Sequence, residues 1–157
     1  MELLLFRHGI AADESPDGSD DARPLTDEGR DRTLAAAKGL AAIIDPPDVI
    51  FTSPKVRAEQ TAAIVGKVMD RKPLEMKELA GSSIEAIISR LAKVKEPRVM
   101  IVGHEPTFSR LVETLCTGGK AEQFVQLKKA GCACVLIDGP FATLQWLATP
   151  KMLRGIK

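Results

Sequence analysis

Near its start the chain carries the run Leu3-Leu4-Leu5-Phe6-Arg7-His8-Gly9. Its four apolar residues predict a short buried strand, and this strand ends abruptly in two polar side chains. In open α/β sheets, ligands bind at this carboxyl end. A histidine there can attack phosphorus or titrate near neutral pH, and an adjacent guanidinium holds phosphate with forked donors. The run therefore predicts phosphoryl transfer onto His8, although an ordinary strand end is the alternative until other residues converge on it.

Composition sets the class of protein. The 157 residues are 45% hydrophobic and 27% charged, which fits one globular domain over residues 1–157 with a sizeable core. The net charge is +1, from 22 basic and 21 acidic residues, so no overall field favours nucleic acid or an anionic membrane. No apolar run is long enough for a spanning helix or a signal peptide. We expect a cytoplasmic, monomeric protein with neither nucleic acid nor membrane as a partner.

The three cysteines, Cys116, Cys132 and Cys134, fit reduced thiols better than a disulfide framework, because their number is odd and no paired spacing occurs. Cys132 and Cys134 are two residues apart in a predicted strand, so they would share one face as small core residues. No histidine or further cysteine lies at ligand spacing from them. We therefore expect neither a metal ion nor a cofactor.

A second strand-to-helix junction follows the first. Asp48 to Phe51 reads as a short strand, and Ser53 and Pro54 then suit the N-cap and first position of a helix. Arg57 falls in the first turns of that helix, where backbone donors and the helix dipole already favour an anion. A parallel sheet would place this junction on the same edge as His8.

A third junction carries the second of the chain's two histidines. Arg98 to Val102 is the clearest buried strand, and Gly103-His104-Glu105-Pro106 follows it and opens another helix. Taken singly, each histidine is more often a structural residue of the core. Because His8, His104 and Arg57 all occupy like junctions, the pattern favours one shared site.

The connection after the first strand is long and polar. Asp13 to Asp21 has no hydrophobic period and predicts a loop, and Thr26 then suits the N-cap of a helix. Arg23 precedes that helix. It is either a solvated loop charge or a mobile second arginine that closes over a bound phosphate. The apolar stripe predicted for the helix consists of Leu34, Ala37, Ala41 and Ile44.

The rest of the chain completes an α/β pattern. Pro73 to Leu79 suggests a short edge strand with Glu75 and Glu78 outward, and Ser82 or Ser83 caps the next helix. Cys132 to Ile137 and Thr143 to Leu147 predict an antiparallel hairpin at the sheet edge. Trp146 is expected in the core. Lys128 and Lys129 either flank the site or meet a protein partner, with a solvated face the favoured interpretation.

Three separated motifs carry a family resemblance. These are Arg7-His8-Gly9, the run Ser53-Pro54-x-x-Arg57-Ala58-x-Gln60-Thr61, and Gly103-His104. Together they resemble the histidine phosphatase superfamily. Over essentially the full length, with Arg23-Pro24-Leu25-Thr26 and His104-x-Pro106, the chain resembles the SixA-type phosphohistidine phosphatases. The resemblance implies a phosphoglycerate mutase-like fold, a single three-layer α/β/α domain whose mostly parallel sheet has an antiparallel C-terminal edge.

The resemblance also implies roles for the site residues. His8 would take the phosphoryl group, and Arg7, Arg57 and His104 would bind its oxygens, with Gly9, Arg23 and Ser53 lining the substrate site. Two guanidiniums and an imidazole around three equatorial oxygens would stabilise the charge of the transition state. The same cations would keep His8 neutral and nucleophilic. Gly9 is expected to leave no room for a side chain near His8, and its carbonyl, or a neighbouring group, to fix the imidazole tautomer.

The leaving-group acid limits the substrate assignment. Many members that act on phosphate esters use a carboxylic acid, placed after the second motif, to protonate the leaving oxygen. Here Glu78 lies slightly early, Gly81 falls where the acid is expected, and Glu105 is another candidate. A missing acid would fit a phosphorylated histidine, carried by a protein domain that can approach an open site. The alternatives are a phosphatase of small phosphate esters, a mutase, and a non-catalytic module that binds phosphate or a phosphoprotein.

Overall fold

The computed structural model describes residues 1–157 and contains one six-stranded sheet with helices on both faces. The strands are β1 (Glu2–Arg7), β2 (Val49–Thr52), β3 (Leu74–Glu75), β4 (Arg98–Gly103), β5 (Cys132–Asp138) and β6 (Phe141–Ala148). The helices are α1 (Asp27–Ala41), α2 (Val56–Met69), α3 (Ile84–Leu91), α4 (Thr107–Thr117) and α5 (Pro150–Arg154), with a 3₁₀ helix (Lys77–Ala80) before α3.

The sheet is mostly parallel, with the strand order β3-β2-β4-β1-β5-β6. β4 lies at its centre and pairs in parallel with β1 on one side and β2 on the other. β5 pairs antiparallel with β1, and β6 antiparallel with β5. The predicted fold class, including the antiparallel hairpin at the C-terminal edge, is confirmed. The carboxyl ends of β1, β2 and β4 therefore meet at one edge.

Alternation along β1 supplies two separate cores. Leu4 and Phe6 pack with α1, α2 and α5 on one face of the sheet. Leu3 and Leu5 pack with α3 and α4 on the other face. All four side chains have no solvent exposure. An apolar run without polar interruption is what a strand buried on both faces requires, so β1 is a rigid support for the polar residues at its end.

The predicted apolar stripe of α1 is partly wrong. Leu34 is 39% exposed and Ala41 is also exposed, whereas Ala37 is buried. The inward face is instead a row of small residues that lets neighbouring chain approach closely. A methyl group on Gly39, for example, would collide with the carbonyl oxygen of Leu153 in α5. The buried residues of the helix are Gly29, Thr33, Ala36, Ala37, Gly39 and Leu40. Thr26 caps the helix as predicted, since its side chain accepts a hydrogen bond from the Gly29 N–H.

The predicted start of α2 is also wrong. The helix begins at Val56 with Lys55 as its N-cap, so Ser53 is not the cap and Pro54 is not the first helical residue. The physical reason is that Ser53 still belongs to the sheet, because its N–H donates to the carbonyl of Val102 at 3.0 Å. Its hydroxyl is thereby turned toward the end of β4.

The edge strand predicted from Pro73 to Leu79 is shorter than expected. Only Leu74 and Glu75 pair with β2, and Glu78 lies, half-buried, in the 3₁₀ helix that follows. Ser83 caps α3 through the Ala86 N–H, which confirms one of the two predicted caps. Trp146 is half-buried and packs against the core under α1 and α2. None of the helices is both long and apolar enough to cross a membrane.

Candidate active site

The three strand-to-helix junctions converge through backbone hydrogen bonds. The His8 N–H donates to the Gly103 carbonyl, and the Ser53 N–H donates to the Val102 carbonyl, both at 3.0 Å. These bonds continue the sheet ladder by one residue past the ends of β1 and β2. The side chains that follow each strand are therefore held on a rigid edge rather than on free loops. His8 and His104 lie with ring centroids 5.2 Å apart.

His8 is held as a neutral imidazole with a defined tautomer. It is 6% exposed, and its Nδ1 lies 2.7 Å from the Gly9 carbonyl oxygen. Because a carbonyl oxygen only accepts, Nδ1 carries the proton and Nε2 keeps its lone pair. Burial lowers the pKa of His8 to about 4, with the charges of Arg57, Arg7 and Lys129 acting in the same direction. At neutral pH the ring is an uncharged base whose Nε2 makes no hydrogen bond to the protein.

Gly9 fixes this geometry through close packing. A side chain at this position would collide with the hydroxyl of Thr33 in α1 and lie 3.2 Å from the Gly29 carbonyl oxygen. Its N–H donates to the hydroxyl of Thr61 in α2 at 3.0 Å. The expected lack of room is present, but the crowding comes from α1 rather than from His8. The glycine therefore joins the end of β1 to α1 and α2, two of the three helices on that face.

His104 is a second buried neutral imidazole. It is 8% exposed, and its Nε2 lies 2.8 Å from the Ser53 hydroxyl oxygen. Burial, together with the nearby His8 and Arg57, lowers the pKa of His104 to about 3. Its Nδ1 is buried and has no hydrogen-bond partner in the protein. Ser53, predicted as a helix cap, instead orients this ring.

Arg7 reaches the site from the end of β1. One of its terminal nitrogens donates to the Leu127 carbonyl at 2.8 Å, while its buried Nε has no partner. Burial lowers the pKa of Arg7 and the nearby carboxylate of Glu105 raises it, and the group remains a cation at any physiological pH. A fixed guanidinium with an unpaired N–H is a donor suited to an oxyanion.

Arg57 is 5% exposed and is bound by a residue that sequence reasoning did not single out. Its two terminal nitrogens donate to the Asp20 carbonyl at 2.7 Å and to the Asp20 carboxylate at 3.0 Å. Its Nε, like that of Arg7, is buried without a partner. The hydrogen bond from Arg57 holds the pKa of Asp20 well below its usual range. Asp20 lies in the unpatterned loop before α1, where no periodicity marks one of several acids.

The same Asp20 carboxylate also accepts hydrogen bonds from two further cationic side chains. Arg23 Nε donates to it at 3.0 Å and Lys55 Nζ at 3.3 Å. Arg23 also donates to the Ala12 carbonyl at 3.0 Å. Arg23 is thus held by hydrogen bonds within its own loop. It shares the Asp20 carboxylate with Arg57. Arg57, Lys55 and Arg23 form a cationic cluster around the Asp20 carboxylate, and Lys55 also pairs with Asp21 at 3.3 Å.

The two candidate acids differ in their surroundings. Both oxygens of Glu105 accept hydrogen bonds, one from the Leu127 N–H at 3.2 Å and the other from the Ser109 hydroxyl. This carboxylate ties the start of α4 to the segment that Arg7 also contacts. Glu78 makes no side-chain hydrogen bond. Neither acid makes a hydrogen bond to His8, whose ring contacts the Gly9 carbonyl.

Lys129 acts on the site from a distance. Its side chain is exposed, as favoured from the sequence, yet its charge contributes to lowering the pKa of His8. The three cysteines are free thiols, and Cys132 and Cys134 face the same core as predicted. No three His, Cys, Asp or Glu side chains are grouped closely enough to hold a metal ion.

The protein is an α/β/α domain in which the ends of the parallel strands bring two neutral histidines and two arginines together in a site suited to an anion. The profile of the histidine phosphatase superfamily (branch 1) matches residues 3–82. A relative from Picosynechococcus sp., uncharacterized, is 36% identical over 136 residues, which is 83% of this chain and 82% of the relative. The chain belongs to the histidine phosphatase superfamily.

Two further comparisons lie within the same superfamily. The phosphohistidine phosphatase SixA of Escherichia coli is 28% identical over 100% of this chain and 99% of its own length. A solved structure of the protein histidine phosphatase SixA complexed with tungstate superposes with a TM-score of 0.84, at 28% identity, over 96% of this chain and 98% of that one. The chain is a SixA-like phosphatase of this superfamily.

Proposed function

We propose that this protein is a phosphohistidine phosphatase, which removes phosphoryl groups from phosphorylated histidine on a protein through a covalent phosphohistidine on His8. The observation that carries the proposal is the state of His8. Its Nδ1 proton is engaged by the Gly9 carbonyl at 2.7 Å, so Nε2 is the free nucleophilic atom. A pKa of about 4 keeps that atom unprotonated at neutral pH. Covalent catalysis splits the hydrolysis into two phosphoryl transfers.

In the first step, His8 Nε2 attacks phosphorus and the bond from phosphorus to the substrate nitrogen breaks. The His8 ring becomes a phosphorylated imidazolium, whose positive charge is stabilised by the hydrogen bond from Nδ1 to Gly9. In the second step, water attacks phosphorus, and His8 leaves as the neutral imidazole from which it started. One water is consumed, and inorganic phosphate and a dephosphorylated histidine are released.

The cationic groups bind and stabilise the transferred phosphoryl group. Arg7 and Arg57 each keep a buried Nε–H without a protein partner, and Nδ1 of His104 is likewise buried and unpaired. If the Ser53 hydroxyl donates to Nε2 of His104, the proton of that ring lies on Nδ1 and can be donated to a phosphoryl oxygen. Charge-assisted hydrogen bonds of this kind contribute about 1.5–3 kcal/mol each. Fixed donors stabilise the charge that spreads over the three equatorial oxygens in the transition state.

The leaving group supports a nitrogen-bound phosphate as the substrate. A phosphorylated imidazole that is protonated on its other nitrogen leaves as neutral imidazole, and no acid has to deliver a proton. An alkyl ester leaves as an alkoxide and needs one. Glu105 has both oxygens occupied by hydrogen bonds, and Glu78 is on the 3₁₀ helix beyond the edge strand. The likeness to SixA adds support for phosphohistidine as the substrate.

The experiment compares three substrates in the presence of chelator: a histidine-phosphorylated protein, p-nitrophenyl phosphate and an alkyl phosphate. We expect the wild type to favour phosphohistidine strongly, to hydrolyse the activated aryl ester weakly and to leave the alkyl ester intact. His8→Ala should be inactive on all three, while His104→Asn should retain a weak activity.

Two results would contradict the proposal. Equal turnover of the alkyl ester would require a carboxylic acid near the leaving group and would favour an ester phosphatase. Phosphate binding without any turnover, measured by isothermal titration, would favour the binding-module alternative.

A further inference from the structure

A polar cleft of about 930 Å³ adjoins the proposed phosphate site. It lies between the start of α3, the outer side of α4 and the segment from Gly119 to Gln126. Arg7, which neighbours His8 in the chain and lowers its pKa, is also one of the cleft's lining residues. Arg7 therefore connects the cleft to the strand end that precedes His8.

The walls of the cleft are predominantly anionic. Four carboxylates face two guanidiniums, those of Arg7 and Arg110. Since Arg7 also belongs to the phosphate site, the part of the cleft away from His8 is more acidic still. The four acids are Glu85, Glu105, Glu113 and Glu122.

Glu113 distinguishes this cleft from an ordinary acidic surface. It is only 7% exposed, yet its carboxylate makes no hydrogen bond and no ion pair with the protein. Glu105, by contrast, is satisfied by Leu127 and Ser109. The carboxylate oxygens of Glu113 are not among the fully enclosed polar atoms of the protein, so they open into the cleft and are free to pair with a cationic ligand.

We propose that Glu113 is a specificity determinant: it binds a lysine or arginine side chain of the phosphorylated protein while the phosphohistidine of that protein occupies the site at His8. The inference rests on the proposed phosphohistidine phosphatase function. The cleft is large enough for a segment of polypeptide rather than a single amine, since pockets of roughly 300–1,000 Å³ enclose drug-sized ligands. Its carboxylates repel a second anion and attract a basic segment.

The test uses phosphohistidine peptides in which one lysine is scanned through an otherwise alanine-rich sequence on both sides of the phosphohistidine. For the wild type, we expect lysine at one or two positions to raise kcat/KM about 10-fold over the all-alanine peptide, because a desolvated ion pair is formed. Glu113→Gln, which keeps the shape of the side chain, should reduce that ratio to below about 2-fold. Because the ratio is measured within one enzyme, a loss of overall activity does not affect it.

Glu96→Gln is the matched control. Glu96 is exposed and lies just before β4, at the amino ends of the parallel strands, whereas the site lies at their carboxyl ends. Its neutralisation should therefore leave the lysine preference unchanged. Raising the KCl concentration should weaken the preference of the wild type only modestly, because a buried pair is less screened than a surface pair.

Three outcomes would overturn the inference. If Glu113→Gln keeps the lysine preference, other groups recognise the lysine. If the wild type hydrolyses all peptides without a lysine preference, the cleft does not bind a cationic side chain of the substrate. Faster hydrolysis of O-phosphoethanolamine than of any peptide would make the occupant a small amino-phosphate. Failure of the wild type to hydrolyse any phosphohistidine peptide, with the aryl phosphate still turned over, would instead refute the proposed function on which the inference rests.

Discussion

Lowering the pH should destabilise the folded protein through its two buried histidines. The pKa of His8 is lowered to about 4 and that of His104 to about 3, against an ordinary value of about 6.5 in the unfolded chain. Between about pH 4 and pH 6.5, these two histidines are therefore protonated in the unfolded state and neutral in the folded state. The free energy of unfolding therefore has its full value, as far as these histidines are concerned, above about pH 6.5. It decreases as the pH falls toward their folded-state pKa values.

The size of the effect follows from the same pKa values. At pH 5.5 each histidine favours the unfolded chain by about 1.4 kcal/mol, and at pH 7.5 by about 0.1 kcal/mol. The two together should lower the free energy of unfolding by about 2.5 kcal/mol between these pH values. The carboxylate of Asp20 does not contribute in this window, because its pKa is depressed and its effect is lost only at lower pH.

Urea unfolding at pH 7.5 and 5.5, at constant ionic strength, measures this difference. His8 and His104 are the only histidines, so His8→Asn and His104→Asn should each remove about half of it. A change in the wild type below about 0.5 kcal/mol would show instead that the two rings accept protons in the folded state.

Three other substitutions test the packing and charges of the site. Gly9→Ala forces a methyl group against a threonine hydroxyl of α1, and should lower the free energy of unfolding by about 1–3 kcal/mol; an unchanged urea midpoint would contradict this packing. Ser53→Ala removes the hydroxyl 2.8 Å from His104 Nε2 and should cost about 1–3 kcal/mol, measured in the same way; a neutral result would show that this hydrogen bond is not needed. Asp20→Asn removes the carboxylate bound to Arg57 and should tighten competitive inhibition by inorganic phosphate about 5-fold, because about 1 kcal/mol of charge repulsion is relieved. Weaker phosphate inhibition would mean that Asp20 orients Arg57 rather than competing with phosphate.

The strand ends of the site could be predicted because their support is visible in the sequence. Arg98 to Val102 and the run before Arg7 are short apolar segments that end in polar residues, and this pattern is typical of parallel strands buried on both faces. The topology then brings the two histidines together without any further information. The proposed roles of Arg7, His8, Arg57 and His104 came from that placement and from the family resemblance.

The features that could not be predicted depend on contacts that leave no periodic pattern in the sequence. The contact between Asp20 and Arg57 spans 37 residues and depends on the conformation of a polar loop. In α1 the many alanines and glycines make several faces nearly equally apolar, so Leu34 misled the prediction of its stripe. The burial of Glu113 could not be foreseen, because a glutamate on a helix is ordinarily solvated.

Trapping the covalent intermediate shows directly whether His8 carries the phosphoryl group. The wild type is mixed with a phosphohistidine protein that carries radiolabelled phosphate, quenched in alkali within milliseconds to seconds, and digested for peptide mapping. We expect alkali-stable, acid-labile label on the peptide that contains His8, and no label in His8→Ala. Label on any other residue, or sustained phosphate release by His8→Ala, would contradict it.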